Sequence, residues 1–316
     1  MSIFETKGLK PMLLGENNAP FDDPEWIYEL KLDGVRCLAY LDPASDSTDL
    51  RNKRDMALGP AFPELRQLCR QVERRCILDG ELISTDERGA PDFYEIQKRV
   101  MMTNTTKISL ASSRRPAAYV AFDVLFLGDE EINFRPLMER KALLAGTVRE
   151  DERLAVSRYV EGKGVALYQL AEAQRLEGVV GKRMDSKYYF GRTAKDWLKI
   201  KYLKDDDYVI TGYIVKEKGM VSLVLGQYGP DGLLQYKGHV TLGVGGRGFE
   251  QIRRQPRLTS APFARLPAGN ERAVWIEPLV GVVSYMPGLR DSEGLRQAVF
   301  KGVRDDKLPE DCSSPL

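Results

Sequence analysis

The stretch Trp26-Ile27-Tyr28-Glu29-Leu30-Lys31-Leu32-Asp33-Gly34-Val35-Arg36 decides how this 316-residue chain is read. From Trp26 to Asp33 it alternates, with Trp26, Tyr28, Leu30 and Leu32 on one parity and Glu29, Lys31 and Asp33 on the other. On an extended strand that pattern puts two carboxylates and a lysine on one face, opposite a largely apolar one. Gly34 permits a sharp turn, and Val35 to Leu41 reads as the return strand of a hairpin. A lysine between two acids is an odd occupant of a solvated face and a worse one for a core. An edge strand of mixed charge is the bland alternative, and only agreement elsewhere in the chain displaces it.

Composition narrows the chemistry. Apolar content of 43% and charged content of 29% describe a globular chain long enough for two domains. The net charge is +1, so any polyanion must be met by locally placed Lys and Arg. Cys37, Cys69, Cys76 and Cys312 form no C-x-x-C pair, which points to reduced thiols in the cytosol. No signal peptide or membrane-spanning run is expected. There is a single histidine, His239, which nearly excludes Ser-His-Asp, Cys-His and histidine-metal plans. Lysine, arginine and carboxylates must carry the reaction, as in phosphoryl or nucleotidyl transfer.

Outward from the opening stretch, Phe62 to Arg75 reads as an amphipathic helix entered at Pro63, with Leu65, Leu68, Cys69 and Val72 inward. Cys76–Ile83 is a buried strand carrying an acidic pair, and Phe93 to Met102 a short helix. From Ile96 to Phe122 there is no acid, while Lys98, Arg99, Lys107, Arg114 and Arg115 lie among Ser and Thr. The default reading is a solvated loop, and the alternative is a contact with phosphate backbone. Ala117 to Leu127 is a buried strand, Pro136 to Val148 and Val165 to Leu176 are helices, and strands follow at 177–182 and 196–201. Beyond residue 203 short alternating segments with Gly-rich turns take over, so a domain boundary falls there (1–202 and 203–316), with a hinge near Lys204–Asp207.

Seven stretches, in order, resemble the motifs of the covalent nucleotidyltransferases, the superfamily of DNA ligases, RNA ligases and mRNA capping enzymes. They are E-L-K-L-D-G-V-R at Glu29–Arg36, Asn52–Asp55, L-D-G-E at Leu78–Glu81, A-F-D-V-L-F at Ala121–Phe126, L-E-G-V-V-G-K-R at Leu176–Arg183, W-L-K-I-K at Trp197–Lys201, and F-K-G-V-R-D-D-K at Phe300–Lys307. One K-x-D-G match recurs by chance, whereas seven ordered matches do not. The wording is most similar to bacterial ATP-dependent DNA ligases of the short two-domain type. That resemblance implies an α+β nucleotidyltransferase domain, ATP-grasp-like, followed by an all-β OB-fold domain.

It also implies roles. Lys31 would attack the α-phosphate of ATP and carry AMP as a phosphoramidate. An ordinary lysine, of pKa about 10.4, is neutral in about one molecule per thousand near pH 7.4. Neighbouring acids worsen that fraction, so cations must crowd the amine in the working state. The resemblance supplies Lys199 and Lys201 at the α-phosphate, together with Mg2+ (or Mn2+) held by Glu177 and Asp33. Glu29 would accept from the exocyclic amine of adenine, selecting it over guanine. Phe122 would stack on the base, though plain core is its alternative. Arg36 and Glu81 would contact the ribose, and Lys182 would supply a further cation. Each acid has a structural alternative as partner of a nearby arginine.

The second motif departs from the family's Ser/Asn-Arg-x-Gly. Lys53 holds the arginine's position and Arg54 fills the role after a one-residue slip; both stay open, and lysine lacks the bidentate fork. Arg304 and Lys307 would close over the β- and γ-phosphates. The implied protein is a monomer acting on nicked duplex DNA, cytoplasmic and nucleoid-associated, with DNA-end-binding or repair proteins as candidate partners. No additional DNA-binding, nuclease or polymerase segment is visible, so weak, salt-sensitive nick binding or help from partners is expected. The rivals are an RNA ligase, a GTP-using capping enzyme, and a non-catalytic nucleic-acid-binding module on a dead ligase fold. Trials with labelled ATP and GTP separate the first two. The joint presence of Lys31, Glu177, Lys199 and Lys201 argues against the third.

Overall fold

Residues 2–86, 91–287 and 295–313 are described by the computed structural model, and the chain divides into two units, Met1–Lys201 and Tyr202–Leu316. In the first the elements run α1 (Ile3–Thr6), β1 (Leu13–Glu16), β2 (Trp26–Leu30), β3 (Val35–Asp42), β4 (Ser47–Asn52), β5 (Cys76–Ile83), α2 (Phe93–Val100), α3 (Thr105–Arg114), β6 (Ala118–Leu127), β7 (Glu130–Glu131), α4 (Leu137–Thr147), β8 (Leu154–Val156), β9 (Tyr159–Glu161), α5 (Gly164–Ala173), β10 (Gly178–Arg183) and β11 (Thr193–Lys201). Two mostly antiparallel sheets result, one in the order β1-β11-β10-β2-β9, the other β4-β3-β5-β6-β7 with β8 added beside β6.

The K-x-D-G segment is not the turn of a hairpin. Strand β2 pairs with β10 and β9, and β3 pairs with β4 and β5, so Lys31 to Gly34 carry the chain from one sheet to the other. Both parities of β2 are buried, since Tyr28 lies under α5 and Glu29 faces the gap between sheets. An apolar layer of Met12, Ile27, Leu38, Tyr40, Ile77, Phe126 and Trp197 fills that gap. Gly34 is required by proximity: a Cβ there would stand 2.1 Å from the Leu82 carbonyl oxygen.

Two other expectations change. The span Phe62 to Arg75 is not one helix but part of a chain of 3-10 turns, at Gly59–Ala61, Pro63–Leu65 and Leu68–Gln71. Pro60 and Pro63 cannot donate to a continuous ladder, and the Cys69 amide donates instead to Thr48 Oγ1 (3.1 Å). The inward residues Leu65, Leu68, Cys69 and Val72 are nonetheless buried against the second sheet. The acid-free stretch is not a loop: α3 occupies its middle, capped by Asn104, whose side chain accepts from Lys107 N (3.0 Å).

The second unit comprises β12 (Lys204–Val215), β13 (Val221–Tyr228), β14 (Leu234–Val240), α6 (Gly246–Arg253), β15 (Val274–Met286) and β16 (Arg296–Arg304). The sheet order is β14-β13-β12-β15-β16, every pairing antiparallel, and Leu242, just past β14, bridges Val299 of β16 in parallel. That closure of the third strand on the fifth is the OB-fold arrangement. The hinge expected at Lys204–Asp207 is instead the paired start of β12, opposite Val282–Tyr285. Only Tyr202 and Leu203 separate β11 from β12. Among the described residues no helix is long and apolar enough to cross a membrane. All four cysteines are free and buried.

Gly34→Ala is expected to lower the unfolding free energy by about 1–3 kcal/mol, because the added methyl meets backbone oxygen. Gly59→Ala, where nothing lies within 4 Å, should change it by less than about 0.5 kcal/mol. Urea melts of both variants check this, and equal midpoints would contradict the close approach.

Candidate active site

Strand register assembles the site. Glu29 of β2 lies opposite Val180 of β10, which lies opposite Lys199 of β11. One row on, the Lys31 amide donates to the Gly178 carbonyl (2.9 Å), and Gly178 lies opposite Lys201. The twin lysines of W-L-K-I-K are thus brought beside Lys31 by pairing through β10. From the facing sheet come Arg36 on β3, Glu81 on β5 and Phe122 on β6, with Arg36 directly opposite Glu81. A cleft with a cavity of about 50 Å3 opens between these walls. Lys31, Glu29, Lys182, Arg36, Glu81 and Phe122 line it, with Ser157, Trp197, Val180 and the leucines at 14, 30 and 32.

Most of the charges are partnered. Lys31 Nζ donates to Glu177 Oε2 at 2.7 Å, and that carboxylate is almost wholly buried. Arg36 makes a two-pronged contact with Asp79, 2.6 Å on each arm, and its guanidinium lies 4.4 Å from the Phe122 ring centre. Lys182 Nζ reaches the same ring at 4.4 Å and the Trp197 ring at 4.2 Å. Glu29 receives Lys182 (3.0 Å) and the Ser157 hydroxyl (2.9 Å) on Oε2, and Lys141 on Oε1. Burial drives the Glu29 carboxyl upward, but Lys141 and then Lys182 outweigh it and hold it below the usual range. Burial lowers Lys182 to about 8, with Lys141 adding repulsion and Glu29 resisting. Burial raises Glu81 to about 8, partly offset by Arg36 and Lys31. Lys201 is lowered by burial first and by Lys199 second, and it also feels Glu177 and Lys31.

Not every expected residue converges here. Lys199 pairs with Glu16 at 3.3 Å, beside the cavity rather than in its lining. Asp33 lies on the crossover, outside the lining. Lys53 and Arg54 are exposed in the turn after β4, where the Asn52 side chain accepts from Arg54 N (2.9 Å), and the structure does not bring them to the cavity. Arg304 and Lys307 belong to the second unit, where both grip Asp207, at 2.7 and 2.8 Å. His239 bonds Asn270 in that unit. Lys141 was missed, yet its signal was present: Leu137, Arg140, Lys141 and Leu144 form an i, i+3, i+4, i+7 stripe, so both cations share the buried face. Ser157 carried no comparable signal.

With that geometry in hand, likeness to known proteins becomes decisive. The family described as ATP dependent DNA ligase domain matches residues 14–201, and that described as ATP dependent DNA ligase C terminal region matches 216–307. The chain belongs to the ATP-dependent DNA ligases.

Within this ligase family, DNA ligase C of Mycobacterium tuberculosis is 33% identical over 92% of this chain and 88% of its own length. The multifunctional non-homologous end joining DNA repair protein LigD of the same organism is 30% identical over 98% of this chain, and the LigD protein of Pseudomonas aeruginosa 32% over 90%. This chain matches 40% and 34% of those two proteins' lengths. A solved mycobacterial DNA ligase D complexed with ATP and MES superposes with a TM-score of 0.57 at 27% identity, covering the full length of both chains.

A divalent cation fits this ligase site only as a companion of phosphate. Among the described residues no three acidic, histidine or cysteine groups cluster as a metal cage. Glu177, a buried carboxylate beside an open cavity, suits magnesium, which keeps waters and shares its shell with substrate phosphates.

Glu81→Gln tests the electrostatics. Because the folded-state value, about 8, lies above the ordinary 4.5, the fold favours the neutral acid. That contribution is complete below the ordinary range and is lost as pH rises through about 8. The melting temperature of Glu81→Gln relative to wild type should therefore climb from pH 5 to pH 8. A flat difference would refute the assignment.

Proposed function

We propose that this chain seals nicks in duplex DNA in three transfers, and that Lys31 is the residue that carries AMP. The observation that supports it most is the position of Lys31: in the lining of the cleft between the sheets, 2.7 Å from Glu177 and in the same register row as Lys201. In the first transfer the Lys31 amine attacks the α-phosphorus of ATP. An N–P bond forms, the α–β phosphoanhydride breaks, pyrophosphate leaves, and the amine gives up a proton. AMP then passes to the 5′-phosphate of the nick, and the 3′-hydroxyl displaces it.

Before attack Lys31 must part from Glu177 and lose a proton, because the ammonium of that ion pair has no lone pair. Lys199 and Lys201 bear positive charge toward the same row, where they stabilise negative charge building on the phosphate oxygens. Glu29, kept ionised by Lys141 and Lys182, offers an acceptor to the exocyclic amine of adenine. Phe122 presents a ring face to the base, and Arg36 and Glu81 stand at the ribose end. Glu177 would hold magnesium or manganese with the nucleotide phosphates, where the ion's charge screens the phosphates and favours loss of the lysine proton. Arg304 and Lys307, bound to Asp207 in the second unit, are the groups assigned to the departing pyrophosphate. Lys53 and Arg54 have no part in this nucleotide pocket. The protein acts as a monomer, with end-binding or repair proteins as partners.

Incubation with labelled ATP and magnesium should place label on the protein, and Lys31→Ala should reduce it at least ~1,000-fold. The same variant should still seal a nick already bearing 5′-AMP, because that step bypasses the lysine. Label retained on Lys31→Ala would overturn the assignment.

A further inference from the structure

We propose that the helix pair α2 and α3 is a docking face for the sugar-phosphate backbone of duplex DNA, with Lys98, Lys107 and Arg114 meeting separate phosphates. The proposal rests on the reading of the chain as a nick-sealing ligase and adds to it a footprint away from the nucleotide cavity.

The five cations of the acid-free stretch separate into two kinds. Arg99 is 1% exposed and donates to the Ala61 carbonyl (2.8 Å) and to Glu64 (2.9 Å), so it holds α2 against the 3-10 turns at Gly59–Ala61 and Pro63–Leu65. Arg115 pairs with Asp92 at 2.9 Å, tying the end of α3 to the cap of α2. Those two are structural. Lys98, Lys107 and Arg114 are exposed and border one groove whose floor is Met102, Leu110 and Ala111. Glu95 is the acid on its rim, 3.7 Å from Lys98 in an i, i+3 pair. Such an exposed pair contributes little and yields readily to a phosphate.

Spacing and composition name the partner. Lys107 and Arg114 are seven residues apart on α3, thus on one stripe and ~10 Å apart along the axis. That is about three nucleotide steps of one DNA strand at ~3.4 Å each. On the next stripe Thr105, Thr106 and Ser109 expose hydroxyls, and the helix TTKISLASSR holds no acid. A face of cations and hydroxyl donors complements a uniform polyanion that accepts hydrogen bonds all along its length. Tyr94, Met101 and Leu110 add exposed apolar surface to the pair, but a protein partner would be met by mixed charge, which the acid-free α3 face does not present.

The test is the triple variant Lys98→Gln/Lys107→Gln/Arg114→Gln in the full chain, with fluorescence anisotropy on a labelled nicked duplex across a salt series. Labelling by ATP is measured in parallel. The expected result is at least a tenfold weaker Kd near 0.1 M salt and a log Kd against log salt slope shallower by about 2–3. Labelling should stay within twofold of wild type. A companion variant, Lys98→Arg/Lys107→Arg/Arg114→Lys, should retain the wild-type slope. Unchanged affinity and slope in a labelling-competent triple variant would overturn the docking face, including the case where it serves an acidic protein. Loss of the slope in the charge-conserving companion as well would also overturn it, by showing that packing and not charge was removed. A wild type that takes no label would instead count against the ligase reading itself.

Discussion

The rest of the site depends on one constraint: Lys31, the amine we propose as the nucleophile, sits in a salt bridge to a nearly buried carboxylate. The Lys31–Glu177 contact keeps the lysine positioned and unreactive at once. An isolated charge in such a place would be expelled or neutralised, so most neighbours are arranged in pairs and Glu81 is pushed toward its neutral form. Arg36 answers Asp79, Lys182 and Lys141 answer Glu29, and Arg140 answers Asp123 with both partners fully buried. Buried pairs of this kind gain little net stability against an apolar core, since desolvation offsets the attraction. Their presence in numbers around one cavity argues for a function in placing charge.

Two sheets make the placement possible. The crossover from β2 to β3 hands the chain from one wall to the other at Lys31–Gly34, so the Lys31 side chain stands where the walls part. Glycine at position 34 is what lets the crossover pass against the β5 backbone. Across β2, β10 and β11 the register carries charge in rows, and the facing sheet brings the aromatic ring and the Arg36–Asp79 fork. A slip of one residue in β10 would turn Lys182 and Val180 away from the cavity together.

Much of this was legible in the chain. Alternation told which residues of β2 share a face, and the parity of Lys199 and Lys201 in W-L-K-I-K set them on one side of β11. The strand cores, α2, α4 and α5, and the change to an all-β unit also followed from periodicity. What failed did so for physical reasons. A glycine between two strands signals a turn whether the strands pair or part, so the hairpin and the crossover look alike in sequence. The 62–75 segment has a helical apolar pattern, but its prolines and the Thr48 side chain divert the amides into 3-10 turns. In α3 only Ile108 is buried, too little apolar repeat to mark a helix. The grip of Arg304 and Lys307 on Asp207 joins residues 97 and 100 positions apart, beyond any local pattern.

The most direct test of the central claim is a crystal structure with magnesium and an ATP analogue whose α–β bridge cannot be cleaved, read for one distance. The account expects Lys31 Nζ to have left Glu177 and to stand within about 3.5 Å of the α-phosphorus, in line with the bridging atom. A nucleotide bound elsewhere, or a Lys31 still paired to Glu177 with the α-phosphate in the cavity beyond its reach, would contradict it.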